Sequence, residues 1–208
     1  LLVVSDLHFE KGSSYAAAGQ MLPPYDTRAT LSHVEKLMDH HTPQTVISLG
    51  DSFHDGRAAA RLSAEDADRI RALTSRCDWL WVEGNHDPDP PQHLGGRAAP
   101  EVRLGPLVFR HEPCGEVGEV AGHLHPAVKV RASGRSVRRR CFVSDGKCLV
   151  MPALGAFTGG LNVCDEAFLA LFGRSWTAYA LGADRIYTIE ATRCEPDGMR
   201  AAGAGWRL

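Results

Sequence analysis

The apolar positions in the first part of the chain predict strands joined by helices. Short runs of branched or aromatic residues at 1–4, 45–49 and 79–82 predict buried strands. Apolar residues at helical spacing predict a helix after Asp26 or Thr27, either of which suits its cap. Ser63 with Asp66 resembles a capping box and predicts a second helix, running to about Cys77. This order indicates a parallel sheet with helical crossovers.

After Pro88 the pattern changes to short strands. Residues 102–111 predict a hairpin around Gly105, and further strands are expected at 117–121, 127–132, 137–143, 148–151, 177–181 and 185–190. A helix is expected near residues 165–172. Because no linker, repeat or low-complexity tract interrupts these elements, we expect residues 1–208 to form one domain of mixed α/β (α+β) class.

Composition narrows the class of protein. The 208 residues are 44% hydrophobic and 23% charged, which is typical of a globular domain that forms a core without disulfides. The net charge of -2 gives no global attraction to nucleic acid. The six cysteines lack a C-x-x-C pair, so we expect reduced thiols in a cytoplasmic protein. No apolar run approaches a membrane span, and because the chain opens on Leu1 we expect residues to precede it.

Polar clusters follow the predicted strands. Asp and His side chains follow the first two strands, an Asn-His-Asp sequence follows the third, and histidines follow two later ones. The candidate residues are Asp6, His8, Asp51, Asn85, His86, Asp87, His111, His123 and His125. Because ligands gather at the carboxyl ends of parallel strands, we expect these side chains to converge.

Seven of these groups are candidate metal ligands. Each short motif is common by itself, but the ordered set of two Asp, one Asn and four His predicts a metal site. Seven donors are too many for one tetrahedral zinc, and they suit two ions that share a carboxylate, as in phosphoryl transfer. Gly50, Gly84 and Gly122 are expected to let the backbone turn sharply near the ions.

The ordered motifs resemble the calcineurin-like metallophosphoesterase family. The resemblance implies a four-layer sandwich of two mixed β-sheets flanked by helices. It also implies two divalent metal ions, with manganese expected and iron, zinc or nickel acceptable. One ion would be held by Asp6, His8, Asp51 and His125, and the other by Asp51, Asn85, His111 and His123.

The same resemblance implies a mechanism. A metal-bridging hydroxide would be the nucleophile, and His86 would protonate the leaving alkoxide as general acid. Asp87 would orient His86, although a loop cap before Pro88 is an equally good interpretation. Complete retention of this set argues against a non-catalytic interaction scaffold.

Residues 6–14, 22–27, 50–55, 138–142 and 155–162 resemble the ligase-associated DNA damage response endonucleases. That resemblance implies a bacterial enzyme that hydrolyses phosphodiester bonds of DNA. It also implies a functional association with a DNA ligase and a repair helicase. The metal motifs alone leave open a small nucleotide or lipid-precursor phosphodiester as substrate. They also leave open the oligomeric state, although an edge strand could pair two copies as a homodimer.

A basic hairpin favours DNA independently of the resemblance. With a two-residue turn at Gly134-Arg135, Ser133 would face Ser136 and the basic residues would face one another on one side. Those side chains are Lys129, Arg131, Arg138 and Arg140. Because like charges opposed across strands destabilise a sheet, an anion such as a nucleic-acid backbone would stabilise them. The competing interpretation is a solvated hairpin whose arginines pair with nearby acids, with Arg139 on the apolar face.

Other polar residues adjoin the motifs. Lys11, Ser13 and Ser14 follow the first ligand loop, and His54 and Asp55 follow Asp51. Each is as compatible with a supporting hydrogen bond as with a substrate contact.

Overall fold

The computed structural model describes residues 1–132 and 134–198. The helices are α1 (Lys11–Ala17), α2 (Asp26–His41), α3 (Ala58–Arg61), α4 (Ala64–Thr74) and α5 (Glu166–Phe172). The strands are β1 (Leu2–Val4), β2 (Thr45–Leu49), β3 (Asp78–Val82), β4 (Arg97–Ala99), β5 (Val102–Leu104), β6 (Leu107–Arg110), β7 (Glu119–Ala121), β8 (Pro126–Ala132), β9 (Arg135–Ser144), β10 (Cys148–Val150), β11 (Leu161–Asn162), β12 (Thr177–Leu181) and β13 (Ile186–Glu190).

The first sheet has the order β1-β2-β3-β4, and each neighbouring pair is parallel. Its first three strands are the predicted apolar runs, which are buried because helices cover one face and the second sheet the other. Strand β4 escaped prediction because three residues rich in alanine carry no strand pattern. All the ligand motifs of this sheet therefore lie together at the carboxyl ends of its parallel strands.

Helix boundaries confirm one predicted cap and correct another. The Ser63 hydroxyl accepts a hydrogen bond from the Asp66 N–H at 3.0 Å, so the capping box at α4 is confirmed, although the helix ends at Thr74. The predicted cap of α2 by Asp26 or Thr27 is wrong. These side chains instead accept hydrogen bonds from the backbone N–H groups of Gly12 and Glu10, which fixes the start of α1.

The second sheet is mixed and has nine strands, with the path β11-β8-β9-β10-β7-β6-β5 and β12–β13 attached to β9. The hairpin predicted over residues 102–111 is confirmed as β5 and β6. Strands β6 and β7 are parallel and end side by side. As a result, His111 and the Gly122–His125 segment leave the sheet at the same edge.

The register predicted for the basic hairpin is wrong by two residues. Ala132 pairs with Arg135 and Lys129 pairs with Arg138, so Arg135 belongs to the strand and not to the turn. The physical reason is that Gly134, with a φ of 76°, precedes Arg135 and takes the second turn position instead of the first. Ser133 lies outside the described residues. A slip of two residues preserves the alternation of faces, so the four basic residues still share one face.

Four layers build the molecule. One apolar cluster joins α2 and α4 to the first sheet, a second joins the two sheets through Ile47, Leu49 and Phe109, and a third joins α5 to the second sheet. The sandwich of two sheets flanked by helices is thus confirmed, with mixed pairing in the larger sheet. All six cysteines are free thiols. Among the described residues, no helix combines the length and apolarity needed to cross a membrane.

Candidate metal centre

The predicted ligands converge at one end of the sandwich. Asp6 and His8 follow β1, Asp51 follows β2 and Asn85 follows β3, while the remaining histidines follow β6 and β7. Two groups emerge in which all the ligand atoms lie within 4.8 Å of one another. They are Asp6 with His8 and His125, and Asp51 with His111 and His123. Each sheet contributes to both groups.

The first group is buried on the β1 side. Asp6 Oδ1 lies 3.1 Å from His125 Nε2, and the Nε2 atoms of His8 and His125 are 3.4 Å apart. The Ser5 hydroxyl donates a hydrogen bond to the other carboxylate oxygen of Asp6, and the His123 backbone N–H also points at this carboxylate. Two imidazole nitrogens and a carboxylate oxygen therefore face a common point.

The second group lies on the side of β3 and β6. Asp51 Oδ1 is 3.4 Å from His111 Nε2, and that nitrogen is 3.1 Å from His123 Nδ1. Asn85 joins the group through its amide oxygen, which lies 2.9 Å from His111 Nε2. This adds the neutral oxygen donor that the sequence predicted.

Asp51 lies between the groups and contacts both. Its Oδ1 faces His111, whereas its Oδ2 lies 3.8 Å from His8 Nε2. The backbone N–H of His86 donates to Oδ1 at 3.0 Å and fixes the carboxylate from the β3 loop. A carboxylate with one oxygen toward each group has the geometry needed to bridge two ions.

The loops that carry the ligands have an unusual backbone. The left-handed region, with φ from 46° to 68°, is occupied by Asp6, His8, Asp51, His123 and His125. Residues with side chains rarely adopt this region, and such strain is concentrated at functional sites. Gly84 and Gly122 permit the close approach, because a Cβ on Gly84 would lie 2.5 Å from Asp87 Oδ1 and one on Gly122 would lie 2.7 Å from Asp6 Oδ2.

Burial and charge set the protonation of the ligands. Burial lowers the pKa of His8 to about 2, so its imidazole is neutral. Burial alone would raise the pKa of Asp51, but the hydrogen bond and charge of His111 outweigh burial and lower it to about 2. Burial alone would lower the pKa of His111, but Asp51 and Asp6 raise it to about 9. A metal ion would therefore displace a proton from His111.

Neighbouring groups orient the imidazoles. His111 Nδ1 lies 2.9 Å from the Leu49 carbonyl oxygen, which leaves Nε2 facing the centre. His8 Nδ1 lies 3.4 Å from His54 Nδ1, which leaves its Nε2 facing Asp51 and His125. Carboxylates and imidazoles suit Mn, Fe, Zn or Ni, and the two groups around a shared Asp51 fit two divalent ions. The residues therefore fit the metal pair that the sequence predicted.

His86 stands at the mouth of the centre. Its side chain is 42% exposed, and its Nε2 lies 3.9 Å from Asp51 Oδ2. Asp87 turns inward instead, and its Oδ2 accepts hydrogen bonds from the backbone N–H groups of Ser52 and Phe53 at 2.9 and 3.0 Å. Burial raises the pKa of Asp87 to about 7. Asp87 thus fixes the loop after Asp51, and within the described ranges it makes no hydrogen bond or ion pair with the His86 ring.

The chain segment after β13 lies against the basic face of β8 and β9, where Arg131 and Arg138 stay exposed. Arg131 Nε lies 3.1 Å from Glu195 Oε1, and Arg138 Nε lies 3.5 Å from Asp197 Oδ1. Lys129 Nζ donates to the Pro196 carbonyl oxygen at 3.3 Å. Three of the four predicted DNA-binding side chains are therefore already paired with residues 195–197.

The arginines near the end of β9 differ in environment. Arg140 is half-buried and donates to the carbonyl oxygens of Ala153, Gly155 and Thr158. It therefore holds the loop that contacts the Asp6 segment through the hydrogen bond from Gly155 N–H to the Asp6 carbonyl oxygen. Arg139, expected on the apolar face, is exposed there.

An aromatic row beside His86 was not predicted. The ring of His54 stacks on His86 with centroids 5.3 Å apart, and Tyr15 lies 5.8 Å from His54. Tyr15 was missed because Gly12, Ser13 and Ser14 have the composition of a loop, whereas the structure places them in α1. The local sequence offers no signal for this helix.

Comparisons with known proteins bear on the family of this chain. Residues 1–140 match the family model for calcineurin-like phosphoesterases. Nuclease MPE from Pseudomonas putida has a similar solved structure, at 30% identity and a TM-score of 0.67, covering 90% of this chain and 86% of that chain. The phosphoesterase YfcE from E. coli shows 16% identity and a TM-score of 0.45, covering 90% of this chain and 97% of that chain. No curated protein sequence matches. The chain belongs to the calcineurin-like phosphoesterases, hydrolases that act on phosphoester bonds with the help of divalent metals.

Proposed function

We propose that this protein is a metal-dependent endonuclease that hydrolyses phosphodiester bonds within DNA. The observation that carries the proposal is the pair of ligand groups around Asp51, with His86 exposed beside them. The similarity to a nuclease over 90% of the chain supports a polynucleotide substrate. Manganese is the metal we propose, because the mixed oxygen and imidazole donors accept it.

The chain's own residues have distinct roles. Asp6, His8 and His125 would hold one ion, and Asn85, His111 and His123 the other, with Asp51 shared. When bound, the ions neutralise phosphoryl charge and activate a water molecule as nucleophile. Asp87 keeps the Asp51 loop in place through its backbone hydrogen bonds.

His86 would protonate the leaving oxygen. Its backbone is fixed by the hydrogen bond to Asp51, while its exposed ring is accessible to a substrate. An imidazole suits this task because its ordinary pKa lies near neutrality. The departing 3′ or 5′ alkoxide of DNA is a poor leaving group, so it depends on a proton from such a group.

The basic face would guide DNA toward the centre. Arg138 donates a hydrogen bond to the Gly160 carbonyl oxygen, and the next residue, Leu161, donates its backbone N–H to the His125 carbonyl oxygen. Lys129 and Arg131 continue the basic face away from the metals. DNA binding would require displacement of Glu195 and Asp197 from these side chains. The proposed setting, from the subfamily resemblance, is repair together with a DNA ligase and a helicase.

One observation favours a second candidate function. Because Glu195 and Asp197 already pair with Arg131 and Arg138, the basic face is less attractive to a long polyanion than its sequence indicates. A small nucleotide or lipid-precursor phosphodiester would not need that face. The metal centre and His86 would act on it in the same way.

Circular DNA separates these candidates. The purified protein is incubated with covalently closed plasmid and with single-stranded circles, in Mn²⁺, Mg²⁺ or chelator, beside the Asn85→Ala and His86→Ala variants. We expect metal-dependent cutting that both variants lose. Since circles have no ends, only internal cleavage is scored. Intact circles together with rapid hydrolysis of bis-p-nitrophenyl phosphate would reject DNA as substrate and favour a small phosphodiester.

A further inference from the structure

A lysine on α1 lies beside the aromatic row without an anionic partner. Lys11 is half-buried, and within residues 1–132 and 134–198 its ammonium makes no hydrogen bond or ion pair. Its Nζ lies 5.9 Å from the centroid of the Tyr15 ring. Burial lowers the pKa of Lys11, and the charges of Asp26 and Asp51 counteract that effect. The Nζ distance therefore places the ammonium over the Tyr15 ring, at the end of the aromatic row.

Arg61 and Arg138, by contrast, are already compensated. Arg61 donates to both carboxylate oxygens of Asp55, at 3.0 and 2.7 Å, and to the Ser13 hydroxyl at 2.9 Å. Arg138 is paired with Asp197. A half-buried charge without an anionic partner is costly, so an anionic ligand would stabilise Lys11 more than it would stabilise these arginines.

Tyr15 connects this lysine to the reaction site. Its ring lies 5.8 Å from His54, which stacks on His86 at an interplanar angle of 17°. His54 also contacts His8 at 3.4 Å, so the row begins at a metal ligand. An aromatic surface beside a cation is the combination that binds single-stranded nucleic acid, because bases stack and phosphates pair with the charge.

We propose that Lys11 and Tyr15 form a binding subsite for the nucleotide adjacent to the scissile phosphate. Lys11 binds the next phosphate along the strand, and Tyr15 stacks on the adjacent base. This proposal rests on the proposed DNA function. It predicts that the DNA bound at the site is single-stranded. The simplest alternative is that Lys11 and Tyr15 only stabilise α1 against each other.

The Lys11 contact is tested with three dinucleotides, TpT, pTpT and TpTp. We expect the wild-type protein to have a higher kcat/KM for one of the two that carry an extra phosphate, and Lys11→Ala to reduce that preference by about tenfold. Lys36→Ala, which removes an exposed lysine on α2, is the matched control and should keep the preference.

The outcomes separate the subsite from the proposed function. Equal preference for the extra phosphate in wild type and Lys11→Ala, or no preference in wild type, would overturn the subsite while leaving the endonuclease intact. Hydrolysis of bis-p-nitrophenyl phosphate but of none of the dinucleotides, together with intact circular DNA, would overturn both. The circular dichroism spectrum of Lys11→Ala verifies that this variant is folded.

The Tyr15 contact is tested with an oligonucleotide in which the flanking base is absent. On the intact strand, Tyr15→Ala should lower kcat/KM about tenfold, and Tyr15→Phe should restore most of it. On the abasic strand, Tyr15→Ala and Tyr15→Phe should have the same kcat/KM. Tyr179→Ala, on β12, is the control for loss of an exposed tyrosine. An equal loss on both strands would show that Tyr15 acts only through the fold and would overturn the stacking contact.

Discussion

Single ligand residues in this protein combine a strained backbone with a fixed side chain. A left-handed conformation costs about 1–2 kcal/mol for a residue with a Cβ, and five of the candidate ligands adopt it. The surrounding contacts, such as the Leu49 carbonyl oxygen against His111 and the Ser5 hydroxyl against Asp6, hold the donors in position before a metal binds. The backbone conformation of these ligands therefore positions the metal-binding atoms and lowers local stability.

His86 gives the prediction at this scale. His86→Ala should lower kcat on DNA by about 10²- to 10⁴-fold, because an alkoxide needs a proton in order to leave. The loss on bis-p-nitrophenyl phosphate should be much smaller, since nitrophenolate leaves unprotonated. Steady-state kinetics on both substrates make the comparison, with His93→Ala as the exposed-histidine control. Equal losses would mean that His86 acts in binding and not as general acid.

At the scale of elements, the sequence predicted what short-range patterns determine. The apolar strands β1 to β3 and the Ser63 cap follow from local composition, and the ligand motifs follow from the strands they terminate. Helix α1 and the short strands β4 and β11 could not be predicted in this way. Their residues adopt these conformations through tertiary contacts, as when Asp26 and Thr27 bind the loop before α1.

The basic hairpin shows the same limit. Alternation correctly predicted one basic face, because a two-residue slip does not exchange the faces. The acidic partners of that face could not be predicted, since Glu195 is distant from Arg131 along the chain and no local pattern connects them. Similarly, no local signal indicates that Arg140 binds loop carbonyl oxygens and not a ligand.

The segment at 195–197 gives the prediction for this element. Replacing Glu195 with Gln and Asp197 with Asn should tighten binding of single-stranded DNA by about fivefold at low salt, because two competing carboxylates are removed. Fluorescence anisotropy in a His86→Ala background measures affinity without cleavage. Asp39→Asn with Asp68→Asn gives the same change in net charge on distant helices. Unchanged or weaker binding, or an equal gain in this control, would exclude the basic face as the DNA path.

At the scale of the whole molecule, the metal centre joins the two sheets. The loops after β1, β2 and β3 supply Asp6, His8, Asp51 and Asn85, and those after β6 and β7 supply the other histidines. The apolar interface of Ile47, Leu49 and Phe109 lies directly behind these loops. Any movement between the sheets would therefore change the separation of the ligands.

Metal removal should consequently lower the stability of the whole fold. A ligand at 100 times its Kd stabilises the native state by about 2.7 kcal/mol, which for a domain of this size raises the Tm by about 5–10 °C. Differential scanning fluorimetry with Mn²⁺ and with chelator should show this difference for wild type and for Lys36→Ala. Asp51→Asn should lose most of it, because the shared carboxylate serves both groups. If Asp51→Asn keeps the full metal-dependent shift, the ions bind elsewhere or without a bridge, and the two-metal centre assigned to these seven residues is wrong.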